Sequence, residues 1–167
     1  WIMVANEKRN MNDNDKHMFN KIEPKLLEIN QTKNLSFNNR DNYYGFGWSH
    51  NSGKPGLWSE GPRSTLLFSI DKNYGDLKLE IICTPYITIK NNTLELDIYV
   101  NNLLNKKIEL KKNHQNKKIE VIIKEELIKD NEVKIDFNFK NPISPYEVFE
   151  SPDSRKLGIL IKNIYLY

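Results

Sequence analysis

Two stretches of the sequence gather side chains suited to holding a polyhydroxylated ligand. The first runs Tyr43-Tyr44-Gly45-Phe46-Gly47-Trp48-Ser49 and resumes, after a loop bearing Gly and Pro, as Gly56-Leu57-Trp58-Ser59-Glu60-Gly61-Pro62-Arg63. Sugar rings carry apolar C–H faces and polar rims, so a site for them combines a flat aromatic with carboxylate, amide and guanidinium groups. Tyr44, Trp48 and Trp58 are the candidate platforms, and Glu60, Arg63, His50 and Asn51 the candidate rim. The same tryptophans suit the interior, because large aromatics dominate core burial. Both readings stay open at this level.

The second stretch, residues 142–159, holds Pro142, Pro145 and Pro152 and then Asp153-Ser154-Arg155. The prolines fix an extended, rigid loop. Asp153 and Arg155 are close enough in the chain to form a bidentate ion pair. Such a pair would either lock the loop against a sheet or present both charges to hydroxyls or an anionic sugar. A buried guanidinium without its carboxylate is costly, so the two residues stand or fall together.

Other chemistries find little support. His17, His50 and His114 show no pair at metal-ligand spacing, and there is no nucleophile elbow and no Gly-rich phosphate loop before a helix. Cys83 lies among apolar neighbours and reads as a small core residue. No catalytic residue, metal ligand or cofactor is assigned, although sandwich loops can collect the oxygen ligands of a calcium ion. A glycan-acting enzyme would need two carboxylates across a cleft, and Glu60 with Asp153 or Glu147 is the pair to consider.

The elements that would position these residues follow from periodicity. Residues 65–70, 77–81, 86–90, 94–100, 119–123, 133–139, 157–161 and 164–167 are short apolar or alternating runs, with Ile108 and Leu110 repeating the theme. Turn residues such as Asn101-Asn102 and Asp130-Asn131 separate them. Eight or nine strands with one wet face each predict an antiparallel all-β protein, a jelly-roll-like sandwich. Residues 6–28 are the one long helical candidate, with Met11, Met18, Phe19 and Ile22 near one stripe and Pro24 ending or kinking it. Leu26, Leu27 and Ile29 would add a turn packed on the main body, and residues 31–42 read as a polar linker. The division expected is therefore a helical N-terminal arm and linker over 1–42 and a β-sandwich over 43–167.

Composition agrees with a folded domain. The chain has 167 residues, 38% hydrophobic and 28% charged, enough to bury roughly 70% of its unfolded surface without a disulfide or metal. One cysteine excludes an internal disulfide. The net charge of +3 arises from 25 basic and 22 acidic residues that interleave, so no basic block points to nucleic acid. No run approaches the ~20 apolar residues of a membrane span. Asn occurs 23 times, a bias that suits an AT-rich bacterial coding sequence. The opening Trp1-Ile2-Met3-Val4 reads as a linker or strand end, or alternatively as the end of a preceding membrane helix.

Gly47-Trp48-Ser49, Leu57-Trp58-Ser59-Glu60-Gly61-Pro62-Arg63, Asp97-Ile98-Tyr99-Val100-Asn101-Asn102, and Ser144-Pro145 with Asp153-Ser154-Arg155-Lys156-Leu157-Gly158-Ile159 occur in that order. Together they resemble a β-sandwich domain family appended to bacterial glycosyltransferases and related membrane proteins that build surface polysaccharides. The resemblance covers residues 45–167. One departure is visible: the loop that carries an acid and an aromatic in that family reads His50-Asn51-Ser52-Gly53-Lys54-Pro55 here. Membership implies a non-catalytic accessory, carbohydrate-binding-like module beside a sugar-transferring enzyme. Its partners would be a polysaccharide or oligosaccharide and the catalytic domain of the parent chain. Its place would be the bacterial cell envelope, with the cytoplasmic face favoured over the periplasmic and membrane attachment only through the parent. The rival reading is a structural module, with the sandwich and the Met11/Met18/Phe19 arm docking on a catalytic domain or another subunit.

Overall fold

The computed structural model describes residues 24–35, 43, 45–50, 54–112 and 114–167. The helix expected over 6–28 falls mainly outside them, as do Tyr44 and Asn51, and only the backbone of His50 is described.

The described residues form eleven strands in two sheets. In chain order they are β1 (Lys25–Leu26), β2 (Thr32–Asn34), β3 (Trp48–His50), β4 (Leu57–Glu60), β5 (Arg63–Ser69), β6 (Leu77–Pro85), β7 (Thr93–Val100), β8 (Leu103–Lys111), β9 (Lys117–Ile123), β10 (Glu132–Phe139) and β11 (Leu157–Leu166). The five-stranded sheet runs β1-β5-β10-β7-β8, and the six-stranded sheet holds β3-β4-β11-β6-β9 with β2 also paired to β11. Every pairing is antiparallel except the short parallel contact of β1 with β5. The protein is a β-sandwich, as the alternating runs predict. Among the described residues a single 3-10 turn at Glu125–Leu127 is the only helical element, and none is long and apolar enough to cross a membrane.

The core lies where the two inner faces meet. Leu66 and Phe68, Ile135 and Phe137, and Leu94, Leu96 and Ile98 come from one sheet; Leu79, Ile81 and Cys83, Val121, Ile159, Ile161 and Ile164 come from the other. Burial pushes the Cys83 thiol up to about 12, so it is protonated and inert at neutral pH. A thiol reagent is therefore expected to label Cys83 only as fast as the sandwich opens. Rapid stoichiometric labelling of the native protein would contradict this burial.

Three sequence expectations need correction. Residues 86–90 alternate but form no strand: Thr88 and Asn91 close a turn on each other, and Ile89 is left 96% exposed. The runs 157–161 and 164–167 are one strand, β11, whose pairing shifts between Ile161 and Asn163. Ile161 and Ile164 both enter the core, an odd spacing that a regular strand forbids and a bulge at Lys162 allows. Finally, residues placed in the arm and linker belong to the sheets: Lys25–Leu26 pair with Phe68–Ser69, and Thr32–Asn34 pair with β11. Leu27 and Leu35 are buried in the core beside these edge strands.

The abundant asparagines have local uses. Asn101 and Asn102 both take positive φ, 46° and 74°, between Val100 and its partner Leu103, the two-residue hairpin geometry that favours Asn. Asn101 also donates to the Leu127 carbonyl at 2.7 Å and accepts from the Lys134 amide at 2.8 Å. Asn101→Ala should cost about 2 kcal/mol, from the left-handed backbone and the lost hydrogen bonds. Denaturant midpoints measure this, and Asn101→Gly, which keeps the backbone freedom, separates the two contributions.

Candidate functional site

Gly47 decides where the aromatic motif goes. Ahead of it the chain lies along the edge of β5: Gly45 donates to the Thr65 carbonyl, and the Tyr43 and Phe46 carbonyls accept from Leu67 and Thr65. After it the chain joins the other sheet, with Trp48 opposite Ser59. Gly47 turns this corner with φ +78° against the Arg63 carbonyl. Its own carbonyl accepts from the Ser64 hydroxyl at 2.6 Å and the Glu60 amide at 2.8 Å. Trp48 is thereby turned inward, opposite the buried Ser59. Its ring meets Phe137 edge-on at 5.9 Å, and its indole N–H donates to the Thr65 carbonyl at 2.8 Å. Trp48, partly buried, packs against the core.

Trp58 has the opposite orientation. Leu57 and Ser59 on β4 are buried, whereas Trp58 and Glu60 alternate onto the outer face of the six-stranded sheet. Trp58 stands half-buried opposite Ser49 and Leu160, with Tyr86 edge-on at 6.0 Å. Tyr86 follows the end of β6 and donates its hydroxyl to Glu150 at 2.6 Å. Burial, then the Glu150 hydrogen bond, raises the phenol well above its ordinary value, so it stays a donor.

The proline-bearing loop supplies the rim. Ser144, buried, donates from its amide and hydroxyl to Glu147, and those bonds hold the Glu147 carboxyl below the usual range. Asp153 and Arg155 form the bidentate pair, with Nε donating at 2.9 Å and Nη2 at 2.6 Å. The Asp153 carboxylate also accepts the Arg155 amide at 3.0 Å, and Arg155 Nη1 donates to the Ser49 hydroxyl at 2.9 Å. The loop is thus tied to β3 beside Trp58, which is the locking geometry. About a quarter of each side chain remains open to solvent, so the locked pair also forms part of the surface.

Glu60 lies near enough to raise the Arg155 pKa further, and makes no ion pair or side-chain hydrogen bond among the described residues. Trp58, Glu60, Asp153 and Arg155 therefore meet on one face. Arg63 does not join them: beyond the Gly61-Pro62 corner it opens β5 in the other sheet, where it pairs with Asp136 at 3.1 Å. Sequence reading missed Tyr86, Glu150 and Ser49. Only the sheet register and the Tyr86–Glu150 contact reveal them, because no spacing in the chain links residues 49, 86 and 150.

Arg155 holds the Asp153 carboxyl below its ordinary value, with the Arg155 amide contributing. This favours the folded loop above the unfolded carboxylate pKa, and the advantage disappears as pH falls through the lower folded value. Amide exchange of residues 142–156 should rise at acid pH before global unfolding, and Asp153→Asn should raise it already at pH 7. Equal exchange in wild type and variant at pH 7 would show that the pair does not hold the loop.

Among the described residues no three His, Cys, Asp or Glu side chains converge on a metal position.

No family model matches the sequence, and no curated protein matches it. Solved structures of similar outline include an exo-β-1,3-galactanase from Phanerochaete chrysosporium, 15% identical over 81% of this chain, with TM-score 0.41. This chain spans only 26% of that protein. A CBM35 from Paenibacillus barcinonensis is 10% identical over 81% of this chain and 88% of its own, with TM-score 0.40. CsCBM6-3 from Clostridium stercorarium, determined with cellobiose, is 10% identical over 86% of this chain and 96% of its own, with TM-score 0.41. At these scores no residue role passes from them to this chain.

Proposed function

We propose that the chain is a non-catalytic carbohydrate-binding module whose ligand rests on Trp58. The observation that carries the reading is the half-buried Trp58 on an outer sheet face, braced by Tyr86 and rimmed by Arg155, Asp153, Glu60 and Glu150. A ring fixed by neighbours stacks on a sugar without losing further side-chain freedom, and the fixed guanidinium offers hydroxyls a preorganised donor. Catalysis by Glu60 and Asp153 is disfavoured. The Asp153 carboxylate is already occupied by the bidentate pair with Arg155 and by the Arg155 amide, which commits it to holding the loop.

The biological setting belongs to the same proposal. The resemblance of the motifs within residues 47–63 and 144–159 to domains of surface-polysaccharide glycosyltransferases supports a module that would keep a glycan beside a parent enzyme, raising its local concentration. It would sit at the bacterial cell envelope, reaching the membrane through the parent chain. A docking role has one observation of its own: Ile89, Tyr146 and Phe149 are exposed near the loop, with Phe149 at 88% and in a left-handed backbone conformation.

Calorimetric titration with capsule and lipopolysaccharide oligosaccharides tests the reading. Wild type should saturate, and Trp58→Ala should lose at least tenfold, about 1.4 kcal/mol, at unchanged melting temperature. Silence from folded wild type across these glycans would overturn sugar binding and leave docking as the better account.

A further inference from the structure

We infer that the outer face of the five-stranded sheet is a second ligand site, one for a hydroxyl-bearing ligand that carries an anionic group, such as a uronic acid. Register places Arg63, Asn138, Asp97 and Lys107 in one row across β5, β10, β7 and β8. The adjoining row holds Thr65, Asp136 and Tyr99. This is a separate face from that of Trp58, and it does not depend on the function proposed above.

Charge on this face is layered. Asp136, 2% exposed, accepts from the Thr65 hydroxyl at 2.8 Å and pairs with Arg63 at 3.1 Å and Lys134 at 3.2 Å. Asp97 is likewise buried and pairs with Lys140 at 2.8 Å. The cations above these carboxylates reach solvent: the side chains of Arg63 and Lys140 are 45% and 50% exposed, and Lys107 is exposed opposite Asp97. Glu95 and Glu109 occupy the next row, where Glu109 pairs with Lys111 at 3.3 Å. An approaching ligand therefore meets cationic heads whose counter-charges are sealed beneath them, an arrangement that favours an anion.

The second observation is independent of charge. Asn138 stands between Arg63 and Asp97, and its side-chain oxygen is sealed from solvent with no hydrogen-bond partner. A buried acceptor left unpaired is costly, and a ligand hydroxyl would satisfy it. Arg63 lies in register on one side of Asn138 and Lys140 pairs with Asp97 on the other, and both long side chains are about half exposed, so either could move aside for such a ligand. Phe46, 53% exposed and lying under the Arg63 guanidinium at 5.6 Å, supplies an apolar wall.

Titration of the full chain with oligogalacturonate, followed by 1H–15N spectra, tests this site, with neutral gluco-oligosaccharides for comparison. The expected result is saturable movement of the Asn138 side-chain amide and of the Phe46 and Tyr99 backbone amides, weakened by added salt. Asn138→Ala and Lys140→Gln should each weaken it at least fivefold, whereas Trp58→Ala should leave it unchanged. Asn138→Ala should fold at least as well as wild type, since it deletes an unpaired group, so its loss of binding is not a folding artefact. Movement confined to the Trp58 face, equal affinity in Asn138→Ala, or no saturable movement would overturn the second site. Movement here with a silent Trp58 face would support it while counting against the Trp58 reading.

Discussion

Alanine at Gly47 is expected to destabilise the protein by about 3–5 kcal/mol, the sum of left-handed backbone strain and overpacking. An added Cβ would sit 2.2 Å from the Arg63 carbonyl oxygen and 2.9 Å from Ser64 Cα, both backbone atoms that cannot rotate away. Relief requires moving β5 or the corner itself, and either movement unseats Trp48 from the edge of the core. A control distinguishes backbone freedom from crowding: Gly61 also has positive φ, +82°, but nothing lies within 4 Å of its Cβ position. Gly61→Ala should therefore cost only about 1–2 kcal/mol. Comparable denaturant midpoints for the two variants would show that the close approach at Gly47 relaxes freely.

The two tryptophans should separate stability from binding. Trp48→Ala removes a ring packed on Phe137 and an indole hydrogen bond to Thr65, for an expected loss of about 3–5 kcal/mol. Trp58→Ala removes a ring from an outer sheet face and should move the melting temperature little while abolishing sugar binding. Folded wild-type-like stability in Trp48→Ala would contradict its role at the core edge. Retained affinity in Trp58→Ala would remove the platform on which the proposed function rests.

Much of the sandwich was legible because half-buried strands carry their own signal. In β7, Leu94, Leu96, Ile98 and Val100 alternate with Glu95, Asp97 and Tyr99, and all four residues of the apolar set are buried; Asp97 is buried as well, on the opposite face, where it pairs with Lys140. Where the signal failed, tertiary geometry overruled local pattern. Residues 86–90 alternate as well as any strand, yet the Thr88–Asn91 turn takes them out of the sheet. The odd spacing of Ile161 and Ile164 reads as a break, and the bulge turns it into continuity.

The site was legible only in part, for a related reason. Trp48 and Trp58 are chemically alike, and no spacing tells which faces inward; a single corner at Gly47 decides it. Glu60 and Arg63 are neighbours in the chain, but the Gly61-Pro62 corner sends them to opposite sheets. Asp153 and Arg155 could be paired from sequence because the contact is local. Tyr86 and Glu150 could not, since 64 residues separate them and only the fold brings the hydroxyl to the carboxylate.

The most direct measurement is a 1H–15N titration of the protein with surface-polysaccharide oligosaccharides, read at the tryptophan indole signals assigned by Trp→Phe variants. The Trp58 indole and the amides around Arg155 should shift saturably, while the Trp48 indole, bonded to the Thr65 carbonyl, stays still. A Trp58 indole that does not move at saturating glycan would contradict sugar binding on this ring.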